Sequence, residues 1–81
     1  MKNNTIKICG KAGSGKSLLQ YFLIKELRNQ GFNVKFVPSD DFKTERDLYQ
    51  YVESFLFEGK IDPSTFEVSV ETVQLNRTAS E

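Results

Sequence analysis

Histidine is absent from this 81-residue chain, which removes histidine metal sites and any cysteine–histidine nucleophilic pair. Cysteine occurs once, at Cys9, so no internal disulfide can form, and a reducing compartment suits the chain. Net charge is missing too, because 11 basic residues balance 11 acidic ones. A broad basic face for nucleic acid is therefore not expected. No apolar run approaches the ~20 residues of a membrane-spanning helix. Met1-Lys2-Asn3-Asn4 leads straight into an expected strand rather than into a signal peptide. Together these absences predict one small cytoplasmic domain over residues 1–81, with a limited core.

Hydrophobic periodicity supplies the elements. Thr5-Ile6-Lys7-Ile8-Cys9 reads as a strand. Lys16 to about Gln30 reads as a helix, with Leu18, Leu19, Phe22, Leu23 and Leu27 at helical spacing and Gly31 as its C-cap. Asn33-Val34-Lys35-Phe36-Val37 is a second expected strand, stopped by Pro38. Thr44-Glu45-Arg46-Asp47 fits the [ST]-x-x-[DE] start of a second helix. Its stripe is Leu48, Tyr51, Val52, Phe55 and Leu56, and it should end near Gly59. Asp62-Pro63-Ser64 is a turn. Phe66 to about Leu75 reads as a third strand, and residues 76–81 as a frayed tail.

All three expected strands alternate, whereas a parallel strand covered on both faces reads as a continuous apolar run. The resulting expectation is an α/β fold in the order β-α-β-α-β, its three-stranded sheet covered by two helices on one face. Lys7, Lys35, Glu67 and Glu71 would line the open face. Cross-strand Lys–Glu pairs would each stabilise that face by roughly 0.2–1 kcal/mol. It is either solvated or the docking face for a protein partner or a second copy. Val73 and Leu75 fall out of phase with Val68 and Val70, which a bulge near Glu71-Thr72 would correct.

The pattern G-x-x-x-x-G-K-[ST] is present in full as Gly10-Lys11-Ala12-Gly13-Ser14-Gly15-Lys16-Ser17, between the first expected strand and the first helix. A polyphosphate is dense negative charge that must approach the backbone closely. Glycines without Cβ allow positive φ and an inward-facing nest of N–H groups. The following helix adds unpaired donors and the positive end of its dipole. Gly10 through Ser17, with Leu18 in the first helical turn, are thus the candidate nucleotide-binding residues. Lys16 would place its charge on the outer phosphates, and Ser17 would ligate a nucleotide-bound Mg²⁺. Cys9 reads as a strand residue beside the loop.

Residues 5–42 resemble the opening of the P-loop nucleoside-triphosphatase superfamily, nearest to its small nucleotide and metabolite kinases. The resemblance implies ATP or GTP with Mg²⁺ as ligands. It also implies acidic residues after the second strand, where this chain has Asp40 and Asp41. Either would orient an acceptor hydroxyl or hold a Mg²⁺-bound water. Both also suit an ordinary turn before a helix. The chain departs from that family in several ways: it is shorter than a complete kinase domain, and no base-recognition signature is visible. No strand of four apolar residues ends in Asp, since Phe66-Glu67-Val68-Ser69-Val70-Glu71 alternates. No arginine-bearing lid is visible, the only arginines being Arg28, Arg46 and Arg77.

Motif present and catalytic apparatus incomplete describes a miniature nucleoside-triphosphate or phosphate binder, accessory or regulatory, with little turnover. The alternative is a kinase-like phosphotransferase or NTPase completed by a partner or second subunit, with Lys16, Asp40 and Asp41 as its catalytic residues. A third reading is an interaction module on a P-loop scaffold, against which the intact Lys16 and Ser17 stand.

Overall fold

The computed structural model describes residues 2–11 and 13–74. Two helices carry the architecture: α1, Lys16–Asn29, and α2, Glu45–Phe57, followed by a single 3-10 turn at Pro63–Thr65. Among the described residues there is no β-strand. The fold is a small helical one, and the expected three-stranded α/β sheet is not formed.

The helix boundaries follow the local chemistry read from the sequence. Both helices end in the same motif, with Gly31 and Gly59 at φ 99° and 68°. Gly31 N–H donates to Arg28 O and Phe32 N–H to Leu27 O, each at 3.0 Å. Gly59 N–H to Leu56 O and Lys60 N–H to Phe55 O, each at 3.1 Å, repeat it at the end of α2. These paired bonds satisfy carbonyls that the helix leaves open, and only glycine takes that backbone without strain. At the start of α2, Thr44 Oγ1 accepts from Asp47 N–H at 3.1 Å, the N-cap that the Thr44–Asp47 spacing predicts.

The helices pack on each other as an antiparallel hairpin, burying Leu18, Tyr21 and Ile24 of α1 against Leu48 and Val52 of α2. This corrects the expected α1 stripe. Leu18 is buried, but Leu19, Leu23 and Leu27 are half-buried and Phe22 is exposed. Of the α2 stripe, Leu48 and Val52 are buried, Phe55 and Leu56 half-buried, and Tyr51 is 49% exposed. Tyr49 of α2 meets Tyr21 edge-on at 5.1 Å between ring centroids.

This helix–helix contact explains why no sheet assembles. The apolar faces assigned to a sheet are spent on one another. Val34, Phe36, Ile61 and Phe66 then pack their side chains against the helical core rather than into a strand ladder. At Val34 the substitution is explicit: its carbonyl accepts from Arg28 Nη2 at 3.1 Å, where a neighbouring strand would have donated. Ile6, Val37, Val70 and Val73 remain exposed, as does Cys9. The Cα radius of gyration, 14.9 Å, exceeds the roughly 12 Å of a compact domain of this length, because these segments run over or beyond the hairpin. With no sheet there is no open sheet face for a partner or second copy, and no register for a bulge near Glu71 to restore. The expected Lys–Glu cross-strand pairs are replaced by Lys25–Glu53, Arg28–Glu45, Lys43–Asp40 and Lys60–Glu58. Leu75 and the expected tail at 76–81 lie outside the described residues.

One pair clamps the hairpin at its far end. Arg28 in the last turn of α1 grips Glu45 in the first turn of α2 through both guanidinium nitrogens, with Nη2 to Oε1 at 2.8 Å. The Arg28 guanidinium holds the Glu45 carboxyl below the ordinary carboxylate range, and the Arg28 pKa rises in return. The sign follows by linkage. A carboxyl with a lowered folded pKa contributes stability at neutral pH that is lost as pH falls through its ordinary range and below. Arg28→Ala is therefore expected to lower the thermal midpoint more at pH 7 than at pH 2, where only its bond to the Val34 carbonyl is lost. Melts followed by circular dichroism at both pH values check this. An equal loss at both would assign Arg28 to packing alone.

Candidate phosphate-binding cleft

The chain enters α1 through Gly13-Ser14-Gly15. Gly13 and Gly15 have φ of 83° and 86°, and Ser14 N–H closes a turn onto Lys11 O at 3.1 Å. Gly15 is the N-cap, with no side chain to cap the helix, and the first turn of α1 carries no acidic residue. The positive end of that helix is therefore not neutralised locally. Gly10 serves a different purpose from positive φ: a Cβ there would lie 2.5 Å from Ser14 Oγ. At Gly15 a Cβ would meet the Phe66 ring at 2.9 Å.

Lys16 folds back over the loop. Its Nζ donates to Gly10 O and Lys11 O, both at 2.8 Å. An ammonium has three N–H donors, so two tie the loop and the third remains for a ligand. The charge is thus held at the mouth of the loop by the backbone it serves. Lys11 itself is exposed, and Ala12 lies outside the described residues.

A cleft of about 720 Å³ opens beside this helix end. Gly13, Gly15, Lys16, Ser17 and Leu18 form one wall, and Asp41, Phe42, Tyr51, Val52 and Phe55 the other; Lys60, Ile61 and Phe66 complete it. Leu18 belongs equally to the core. The cleft brings together much of the expected site, but it divides the two acids. Ser39 N–H donates to Phe42 O at 2.9 Å, and Phe42 N–H donates to Ser39 Oγ at 3.2 Å. That closed turn sends its two middle side chains apart: Asp41 lines the cleft, while Asp40 stands in solvent near Lys43 at 3.8 Å.

Comparison with protein-family models, curated proteins and solved structures finds no match. The site therefore rests on its own chemistry. Ser17 and Asp41 offer oxygen donors on the same cleft, which fits Mg²⁺, a cation usually held by few protein ligands together with phosphate and water. Among the described residues no group of three or more His, Cys, Asp or Glu gathers to hold a metal alone.

Sequence reasoning missed Lys60, Phe66 and the aromatic wall. Lys60 follows Gly59 in the cap of α2, and its Nζ meets Glu58 Oε2 at 2.8 Å. Phe66 is delivered by the 3-10 turn, which Asp62 caps by accepting from the Ser64 amide at 3.0 Å and its hydroxyl at 2.8 Å. Those bonds, the hydroxyl's first, hold the Asp62 carboxyl below its ordinary range. The readable signal was the i, i+4 pair Tyr51 and Phe55 beside the buried Leu48 and Val52. Arginine does not reach the cleft among the described residues. Arg28 is clamped at the far end, Arg46 sits in the first turn of α2 at that same end, and Arg77 lies outside the described residues.

Proposed function

We propose that this chain binds a nucleoside triphosphate, ATP or GTP with Mg²⁺, through the Gly10–Ser17 loop, as an accessory or regulatory protein with little turnover. The observation that carries the reading is the Lys16 ammonium, held 2.8 Å from two loop carbonyls at the uncapped, acid-free start of α1. Phosphate oxygens would accept from the first-turn amides and from Nζ, both already oriented. The full motif supports a likeness to P-loop proteins in the loop alone, since the sheet of that superfamily is not formed. The metal would supply charge neutralisation between phosphates when bound. Ser17 is the residue to ligate it, with Asp41 within the same cleft to hold one of its waters. No helix among the described residues is long and apolar enough to cross a membrane; the single cysteine favours the cytoplasm.

Low turnover follows from what faces the cleft. Charge developing on a transferred phosphoryl group is commonly supported by an arginine in addition to the loop lysine, and among the described residues no arginine lines the cleft. Asp41, on the same cleft as Ser17, favours the second reading, a phosphotransferase or NTPase that a partner's arginine completes. In that reading Asp41 acts, whereas Asp40, turned to solvent, does not.

Calorimetric titration of ATP and GTP, with and without Mg²⁺, into wild type and Lys16→Ala tests the proposal. Saturable binding by wild type, weakened about 10- to 100-fold in the variant by loss of a charged hydrogen bond, is expected. Phosphate release near the uncatalysed rate is expected alongside. Equal affinity of the two proteins would remove the loop from the site.

A further inference from the structure

The cleft has a second end that phosphate alone leaves unexplained. Phe42, Tyr51 and Phe55 form a continuous row of rings, with centroids 5.2 Å apart from Phe42 to Tyr51 and 4.9 Å from Tyr51 to Phe55. The outer two meet Tyr51 at interplanar angles of 56° and 67°, so Tyr51 is braced from both sides. It nevertheless stays 49% exposed, and all three rings line the cleft that holds Lys16 and Ser17.

Burial accounts for Phe42, which packs against the helical core, but not for Tyr51, which stays half exposed. Two properties share one open cleft of about 720 Å³. One is a cationic end built from Lys16 and the start of α1. The other is a row of mutually tilted rings whose middle member, Tyr51, faces solvent. A ligand that satisfies both carries phosphate and a planar ring in one molecule.

We propose that Tyr51, supported by Phe42 and Phe55, stacks the nucleobase of the ligand whose phosphates the Gly10–Ser17 loop holds. This rests on the nucleoside-triphosphate reading above and adds the part of the ligand that inorganic phosphate lacks. Stacking on a ring is tolerant of base identity because every base presents a π-face. ATP and GTP are therefore held by similar margins over tripolyphosphate.

The experiment compares ATP, GTP and inorganic tripolyphosphate, each with Mg²⁺, by calorimetry on wild type, Tyr51→Leu and Tyr51→Phe. Wild type is expected to favour either nucleotide over tripolyphosphate by about 10- to 100-fold. Tyr51→Leu should erase that preference while leaving tripolyphosphate affinity unchanged, and Tyr51→Phe, which keeps a ring, should retain it. Tripolyphosphate affinity is also the check that Tyr51→Leu is folded. Wild type binding tripolyphosphate as tightly as nucleotide would overturn the base site and leave the phosphate loop standing. A nucleotide preference that survives Tyr51→Leu, or loss of tripolyphosphate binding in that variant, would also overturn it. Binding of none of the three would remove the phosphate site and the base site together.

Discussion

Gly15→Ala should destabilise the protein by about 2–4 kcal/mol and weaken triphosphate binding in the same variant. Two separate costs meet at this position. An L-residue held at φ 86° carries about 1–2 kcal/mol of left-handed strain. The added methyl would also stand 2.9 Å from the Phe66 ring, and overpacking of that kind costs about 1–3 kcal/mol. The components separate in a double-mutant cycle with Phe66→Leu. The smaller side chain relieves the collision but not the strain, so Gly15→Ala should cost less in the Phe66→Leu background than in wild type. Urea unfolding of the four proteins measures this. Identical costs in both backgrounds would mean that Phe66 does not seat on Gly15.

Leu48→Ala is the other change expected to do most damage. Leu48 is 0% exposed and Val52 1%, the two least exposed core side chains among the described residues. Truncating a buried leucine costs about 2–5 kcal/mol, through lost transfer energy and the cavity left behind. A chain of this size holds roughly 4–12 kcal/mol in all, at about 0.05–0.15 kcal/mol per residue. One side chain thus carries a sizeable fraction of the total. Chemical denaturation should show a midpoint moved far to lower urea, with Phe57→Ala, 94% exposed, nearly silent as its control. A small loss at Leu48 would mean that the two helices are not each other's core.

What was legible in the sequence was local. Gly31 and Gly59 announced helix ends because the motif they complete involves only residues within six positions. Thr44 and Asp47 announced a helix start for the same reason. The loop before α1, with its glycines and Lys16, was readable because its geometry is set by its own backbone. What could not be read was which apolar face meets which. Alternation is a pattern of side chains only: in Val34–Phe36 the cover is a helix rather than a sheet neighbour, while in Ile6–Ile8 and Phe66–Val70 it leaves Ile6, Val68 and Val70 exposed. Arg28 reaches the Val34 carbonyl because the chain turns back after Gly31, a side-chain choice that no periodicity reveals. Likewise, Asp40 and Asp41 are equivalent on paper. The hydrogen bonds between Ser39 and Phe42 decide that only the second faces the cleft. The aromatic wall was hidden in plain view, counted as a helix stripe, because Tyr51 and Phe55 stand one step around α2 from the residues that α1 covers.

The walls of the cleft come from four separate stretches of the chain: the glycine loop with the first turn of α1, the turn before α2, the second half of α2, and the segment that ends in Phe66. These pieces share little buried contact apart from the hairpin core. A molecule seated among them would do for this protein what a larger interior does for others. By mass action, a ligand present at a hundred times its dissociation constant adds about 2.7 kcal/mol to the folded state. That is comparable to the whole contribution of a core leucine. The occupied and empty forms would then differ in durability as much as in content, so that the supply of ligand would govern how long the chain persists folded.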